Sequence, residues 1–557
     1  MQIEVKGHSG CSIEIVRQGN TLIIEKATRD PKYVERLYKQ ALKQQKAQST
    51  ELQFIRVPEI LNITKSDTEM VMQMEYIYSK NFIDYFENAG FEQIKYFVKA
   101  IDIFIQSEIS QSTMQEVSSS IVMEKFEDVK RKTLSNPFMR GNKEVEDIII
   151  RSEKQFQSLP TTLEMPVGIC HGDLTFSNIL FNGNNYFLID FLDSFIESPL
   201  LDMVKIRQDS AHRWSPLMYE GDYDKTRFNI IAHKIDQELD TLFSRYDWYV
   251  RYYDIFQLMN LLRVLQYGHE EKVVNYLVKE ISSILNKMES KNESQSSKAA
   301  PSTDSFHFSY RFRSNPNPSS NPSFRFSYRF RSASPQSLIM PIAADKPEYS
   351  TRLPRVFLIA EDGVMHCIRA LKSLDLTRFD HIYITILRHL DEQYALTERL
   401  TLQFRINGIT NAEIVVLDQP TTSQPETIYE TIRKKDIHGS IFIKDADCSF
   451  TGDDTTDNAI VIHPLEQLDW VNPKNKSYVS VDDMYYITNI IEKRIVSHHF
   501  TAGGYSFQEA DTYCQYYESL QHQQGLYLSH IIYTMLLDGH TFRPILSKDY
   551  VDFEFSL

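Results

Sequence analysis

The sequence predicts two folded units in tandem: an α+β unit of two lobes, then an α/β unit on a mostly parallel sheet. Three observations carry this. Residues 1–80 alternate short β-rich runs with one charged helix and give way to long helices through about 290; residues 289–336 are dense in Ser, Pro and Asn without a sustained apolar period; and from about 337 strands alternate with helices. At 557 residues the chain is several times the usual domain size of ~100–150 residues, so more than one hydrophobic core is expected. The boundaries follow as 1–290, a linker at 291–336, and 337–557.

In order, IEIV and TLIIEKA read as strands, YVERLYKQALKQQKAQ as a helix, and FIRVPEI and TEMVMQMEYI as strands. This order fits a small antiparallel lobe. Residues 81–165 read mainly as helix, with helical apolar spacing in FEQIKYFVKAIDIFIQSEI and VEDIIIRSEKQFQSL, and helices resume after a motif region at 167–202 with DWYVRYYDIFQLMNLLRVLQYG. The linker repeats FSYRFRS at 308–314 and 326–332, an Arg/aromatic element within a spacer composition. Beyond it SLIMPIAA, RVFLI, HIYITIL, NAEIVVLD and SIFIKDAD read as strands, with GVMHCIRALKSL and TIYETIRKKD as helices between them, placing ligands at the carboxyl ends of the strands.

Composition narrows the function. A formal charge of −15 argues against nucleic-acid binding, which needs a surplus of Lys and Arg, and favours small metabolites or their phosphates. The five cysteines form no CxxC pair, so neither a disulfide framework nor a zinc site is expected. No basic leader or apolar run of ~20 residues appears, which reads as a cytoplasmic protein without a membrane span. Oligomeric state stays open.

The decisive run is ICHGDLTFSNILFNGNNYFLIDFLDS at 169–194. Asn178 follows Asp173 by five residues, and a second apolar strand ends in Asp190. Phosphoryl transfer needs a carboxylate to orient the acceptor hydroxyl and oxygen ligands to place magnesium on the nucleotide phosphates. The run resembles the HGDxxxxN loop and following IDF strand of the aminoglycoside phosphotransferase and choline kinase superfamily. The resemblance implies an α+β protein-kinase-like two-lobed domain using ATP and Mg²⁺, with Asp173 as catalytic base, Asn178 and Asp190 as metal ligands and His171 as a structural member of the catalytic loop. By the same resemblance Gly7 and Gly10 in GHSGCSIEIV belong to the loop over the phosphates, and Lys26 contacts the α and β phosphates. Met74, Glu75 and Ile77 in MEYIY belong to the hinge that holds adenine, and Asp202 steadies the catalytic region. The helix partner of Lys26 should be a Glu; the following helix offers Glu35 near its start and glutamines, Gln40, Gln44 and Gln45, farther along.

Residues 337–557 resemble the sugar-phosphate nucleotidyltransferase family through four runs. LDQPTTSQPETIYE carries Gln424 and Thr427, with Ser423 where the family has Gly; IFIKDADCSF carries Asp445 and Asp447; EKRIVSHHFTAGGYSF carries Glu492, Lys493, Gly503, Gly504 and Tyr505; and DYVDF carries Asp552. The resemblance implies an α/β Rossmann-like nucleotidyltransferase domain. In it Gln424 and Thr427 read the base, Asp445, Asp447 and Asp552 hold metal, and Glu492, Lys493 and Gly504 hold the acceptor phosphate and sugar. The family's glycine-rich signature is replaced by MPIAADKPEYSTRLPRVF, where Lys346 or Arg352 is the candidate phosphate cation. Lys476 reads as ordinary surface.

Together the two resemblances imply a bifunctional enzyme. A kinase phosphorylates a sugar or small alcohol, and a nucleotidyltransferase joins that phosphate to a nucleotide from CTP, UTP, GTP or dTTP, making an activated precursor for surface or capsule polysaccharide. Two alternatives stay open. One is a choline or amino-alcohol kinase with a cytidylyltransferase, for which Trp214, Tyr219, Tyr223, Trp248 and Tyr252 supply the rings of a cation cage and Asp222 and Asp224 the charge. The other is an active kinase with a non-catalytic nucleotide-binding second domain.

Overall fold

A computed structural model describes residues 3–5, 11–48, 52–296, 335–452, 455–468 and 475–553. Gly7 and Gly10, and most of the 291–336 linker with its repeated FSYRFRS, lie outside them.

Near the N-terminus a five-stranded antiparallel sheet runs in the order Ile3–Val5, Ser12–Gln18, Thr21–Thr28, Met70–Glu75, Ile60–Lys65. Helix Pro31–Gln48 lies against it through Val34, Leu37 and Ala41, a three-and-four spacing that buries one stripe on Met70, Met72 and Met74. The chain leaves this lobe after Glu75 and enters helices Phe82–Asn88 and Phe91–Ser110. The stretch read mainly as helix also contains an antiparallel pair, Thr113–Ser118 with Thr162–Val167. Its first strand is almost wholly exposed, so it carries no apolar alternation to betray it.

Helix Pro199–Ser210 is the axis of the helical lobe, all twelve of its residues buried. A helix buried all round is ordinarily apolar all round. This one carries Asp202, Lys205, Arg207 and Asp209 inward, and each finds a polar partner. Helices Lys225–Phe243, Asp247–Leu265 and Glu271–Ser296 complete the layer around it.

Beyond the linker lies a nine-stranded sheet. Four of its strands pair in parallel, in the order Ala412–Leu417, His381–Leu387, Gln336–Pro341, Ser440–Lys444, and Arg543–Leu546 pairs in parallel with Ala459–Pro464 at the far side. The sheet then turns antiparallel through His499–Phe507 and Ala459–Pro464, with hairpin Ser477–Val481/Ile487–Glu492 attached to the former. It is therefore mixed, less parallel than its βα rhythm suggests. RVFLI is also not a strand: Arg355–Phe357 is a 3₁₀ turn, closed by Phe357 N–H to Pro354 C=O at 3.0 Å.

The two halves share one continuous core and a polar seam centred on Arg227. Its guanidinium, 2 % exposed, donates to Ala89 C=O, Ile490 C=O and Asn489 Oδ1 and lies 3.7 Å from the Tyr533 ring centroid. His530 Nε2 meets Asp224 Oδ2 at 2.9 Å beside it.

Candidate functional site

The HGDLTFSN run forms a loop and one 3₁₀ turn, Phe176–Asn178, between strands Thr162–Val167 and Ile179–Asn182. The buried helix beneath fixes its backbone: Asp202 accepts from the N–H groups of His171 and Gly172, and Asp209 from Phe176 N–H at 2.6 Å. Gly172 is required here, with φ +86° and the site of an added Cβ only 2.0 Å from Leu192 C=O. His171 is fully buried and both ring nitrogens are engaged, Nε2 with Ile189 C=O at 2.9 Å and Nδ1 with Asp173 N–H at 3.2 Å. Burial lowers its pKa against the nearby Asp202 charge, so the ring is a neutral brace for the loop.

Asp173, Asn178, Asp190 and Lys26 come together. Asn178 Nδ2 donates to Asp173 Oδ2 at 3.0 Å and to its carbonyl at 2.8 Å, which turns the amide oxygen away from Asp173. Asn178 C=O takes the Ile189 N–H, placing Asp190 alongside in a left-handed conformation at φ +62°. Lys26, 2 % exposed, reaches across from the small lobe to Asp190 Oδ1 at 2.7 Å. Among the described residues the helix gives Lys26 no partner: Glu35 pairs with Lys65 at 2.6 Å, and Gln44 donates to Pro58 C=O. Sequence reading missed Lys205, whose Nζ lies 3.0 Å from Asp173 Oδ1. Burial pushes the Asp173 carboxyl up, but the Lys205 ammonium, helped by the Asn178 hydrogen bond, outweighs it and holds the group below its ordinary value.

In the connection between lobes Met74 is buried against Gln44, Ile77 is buried, and the Glu75 N–H is committed to Glu59 C=O at 2.9 Å. Glu75 therefore has no free backbone donor for a base. Of the rings named for a cation cage, Tyr219 and Tyr223 pack on each other, Trp248 stacks on Tyr246, and the Tyr252 hydroxyl accepts from Glu164 N–H.

In the second half, strand Ser440–Lys444 delivers the Asp445–Ala446–Asp447 turn at its carboxyl end. Two cavities meet there, of about 310 and 140 Å³, and Gln424, Asp445 and Asp447 border both. The larger is otherwise walled by Tyr349, Val356 and Phe357, the smaller by Lys476, Glu492 and Ser529. Gln424 Nε2 donates to Asp445 Oδ1 at 2.6 Å. Burial and then the Asp447 charge push the Asp445 carboxyl up to about 6. Buried Lys444 donates to the carbonyls of Asp445 and Cys448 and fixes the turn.

Several second-half residues stand elsewhere than expected. Lys476 is not surface: 13 % exposed, it binds Asp552 Oδ2 at 2.7 Å and Tyr550 Oη at 2.7 Å in the wall of the smaller cavity. Asp552 lies beside the acidic turn, opposite Cys448 in register, with its carboxylate neutralised by that lysine. Glu492 Oε2 accepts from Ser477 and Ser529. Lys493 lies behind the cavity, its ammonium on the Tyr527 hydroxyl and ring. Gly503 and Tyr505 face the smaller cavity; strand alternation turns Gly504 away, onto Val461 and Phe450. Thr427 is buried, its hydroxyl on Thr421. Arg352 does not reach either cavity: its backbone N–H closes a turn onto Glu348 C=O and the residue is exposed, while Lys346 lies near the Tyr349 ring.

Among the described residues no three His, Cys, Asp or Glu side chains stand together as a ready metal cage. Magnesium asks less, one or two carboxylates with the remaining ligands from phosphate and water. Asp190 with the Asn178 amide, and Asp445 with Asp447, fit that demand.

Residues 139–226 match the model of the phosphotransferase enzyme family. The matched phosphotransferase segment contains His171, Asp173, Asn178, Asp190 and Lys205. No curated protein matches the chain. Similar solved structures fall into two classes. A nucleoside-diphosphate-sugar pyrophosphorylase from Vibrio cholerae RC9 is 18 % identical, covering 39 % of this chain and 94 % of its own at TM-score 0.33. The inositol-1-phosphate CTP transferase of T. maritima is 15 % identical, covering 40 % and 89 % at TM-score 0.33. The phosphotransferase class includes a thermostable mutant of aminoglycoside phosphotransferase APH(4)-Ia with ADP and hygromycin B, 10 % identical, covering 51 % and 93 % at TM-score 0.36.

Proposed function

We propose that the chain catalyses two consecutive transfers. In the first, residues 1–290 phosphorylate an alcohol, most simply a sugar, from ATP. Asp173 accepts the hydroxyl proton as the oxygen attacks the γ-phosphorus, the bond to the β–γ bridging oxygen breaks, and ADP leaves. Asn178 and Asp190 are the magnesium ligands. When bound, the ion neutralises charge on the transferring phosphoryl group. Lys26 then exchanges Asp190 for nucleotide phosphate. The observation that carries this reading is that Lys26, from a distant strand of the small lobe, reaches Asp190 while Asn178 holds Asp173 within the same motif run.

In the second transfer, residues 337–557 direct the new phosphate at the α-phosphorus of a nucleoside triphosphate and release pyrophosphate. The 310 Å³ cavity takes the nucleotide and the 140 Å³ cavity the acceptor phosphate, with Asp445 and Asp447 as metal ligands at their junction. Lys476 supplies the cation of the acceptor side, and the product is a nucleotide-activated precursor of the kind consumed in surface-polysaccharide assembly. A second reading, an active kinase with a nucleotide-binding but non-catalytic partner, is favoured by one observation, that Arg352 stands outside the nucleotide cavity.

Separate variants test the two halves. Asp173→Asn is expected to lower acceptor-dependent ADP formation by about 10²–10⁴-fold, and Asp445→Asn to abolish pyrophosphate release while leaving ADP formation intact. Pyrophosphate release from no nucleoside triphosphate, with nucleotide binding retained, selects the second reading.

A further inference from the structure

The kinase reading leaves the chemistry of its acceptor undefined, and any assignment of that acceptor rests on the same reading. Beside the catalytic loop lies a small cavity bordered by Gly172, Lys205, Phe256, Asn260 and Arg263. At about 10 Å³ it has room for one small group, so it suits the end of a molecule whose remainder lies outside. Phe256, Asn260 and Arg263 recur at four and three residues on helix Asp247–Leu265 and share one face.

The polar groups here are unbalanced. Asn260 is 3 % exposed; its Nδ2 donates to Gln208, but its Oδ1 has no partner. The Arg263 guanidinium lies 5.7 Å from the Phe195 ring centroid and makes no ion pair or hydrogen bond among the described residues. Lys205 is the other cation of the wall, 3.0 Å from Asp173, and Arg36 and Lys125 are near enough to Arg263 to interact with its charge. None of the described residues lining the cavity is acidic. Arg263 feels the Asp173 charge, but that carboxylate is already paired with Lys205; a half-buried guanidinium without a salt bridge of its own, among further cations, is an anion site. A cationic acceptor would meet like charge there, in a partly buried site where water screens it little.

We propose that the phosphoryl acceptor is an anionic alcohol, a hydroxycarboxylate or a phosphomonoester. Its charged group is bound by Arg263, a spare hydroxyl donates to Asn260 Oδ1, and the reacting hydroxyl faces Asp173. That hydroxyl loses its proton to Asp173 and gains the γ-phosphoryl group as ADP departs.

The test uses the full chain with Mg²⁺ and ATP. ADP formation is followed with glycerate and gluconate, glycerol phosphate and glucose phosphate, glycerol and glucose, and choline and ethanolamine, with Asp173→Asn as control. Asp173-dependent ADP is expected with an anionic class alone, and the arm that responds tells carboxylate from phosphate. Arg263→Gln should raise the acceptor KM about ten- to a hundredfold with the KM for ATP unchanged, and Arg263→Lys should recover part of the loss; the lysine variant also serves if the glutamine variant fails to fold. Asp173-dependent ADP with neutral or cationic acceptors, insensitive to Arg263, overturns the inference and leaves the kinase standing. Asp173-dependent ADP with no acceptor of any class removes the kinase reading and the inference with it.

Discussion

Asp173 is poised by neighbours as much as by its own chemistry. Lys205 and Asn178 outweigh the upward push of burial, so the carboxylate is ionised and ready to accept a proton. Replacing Lys205 by Met removes the downward pull, the Asp173 pKa rises, and the acid limb of the kinase kcat/KM profile moves to higher pH; a profile unchanged in the variant would contradict this assignment. Gly172 tests the backbone in the same loop. Alanine there needs a left-handed residue with its Cβ against Leu192 C=O, so Gly172→Ala should cost ~2–4 kcal/mol in chemical unfolding and depress ADP formation. The motif residues were legible because phosphoryl transfer demands fixed residue types at short spacing in one run. Lys205 and Lys476 were not. Each pairs with a carboxylate from a distant segment, and nothing local distinguishes such a lysine from a solvated one.

Helix Pro199–Ser210 turns packing into the geometry of the 171–178 loop. Asp202, Lys205 and Asp209 recur on its loop-facing side, and each holds a different part of the 171–178 loop. Burial raises the Asp209 carboxyl to about 6, against donation from Ser215 and Phe176. A folded-state value above the unfolded one near 3.9 means that this stability is fully present below the unfolded value and is lost as pH rises through about 6. Asp209→Asn lacks that component. The stability advantage of wild type over the variant should therefore shrink between pH 4 and pH 7, by on the order of 3 kcal/mol in denaturant midpoints converted to free energy; a constant difference would contradict the assignment. The long helix Phe91–Ser110 was legible from its spacing, Asp247–Leu265 from a run rich in Tyr and Leu, and the central strands from their apolar runs. RVFLI misled because an apolar run forms a strand only where a sheet edge receives it; its Val356 and Phe357 wall a cavity instead.

Across the molecule the two halves are tied by a buried cation. Arg227 links the helix after the catalytic region to Ala89 and to strand Ile487–Glu492, the strand that carries Glu492 into the smaller cavity. Arg227→Ala strands two carbonyls and an amide oxygen in the core, so thermal unfolding should show a loss of about 3–5 kcal/mol, with both activities falling together. Nothing in the sequence marks this arginine, because its partners lie 138 and 263 residues away. The central claim, two consecutive transfers by one chain, is tested most directly by following ADP and pyrophosphate in a single reaction with Mg²⁺, ATP, the acceptor and a second nucleoside triphosphate. Pyrophosphate is expected to appear only after ADP, Asp173→Asn to suppress both products, and Asp445→Asn to abolish pyrophosphate alone. Acceptor-dependent pyrophosphate release that persists in Asp173→Asn without added phosphorylated acceptor would contradict it.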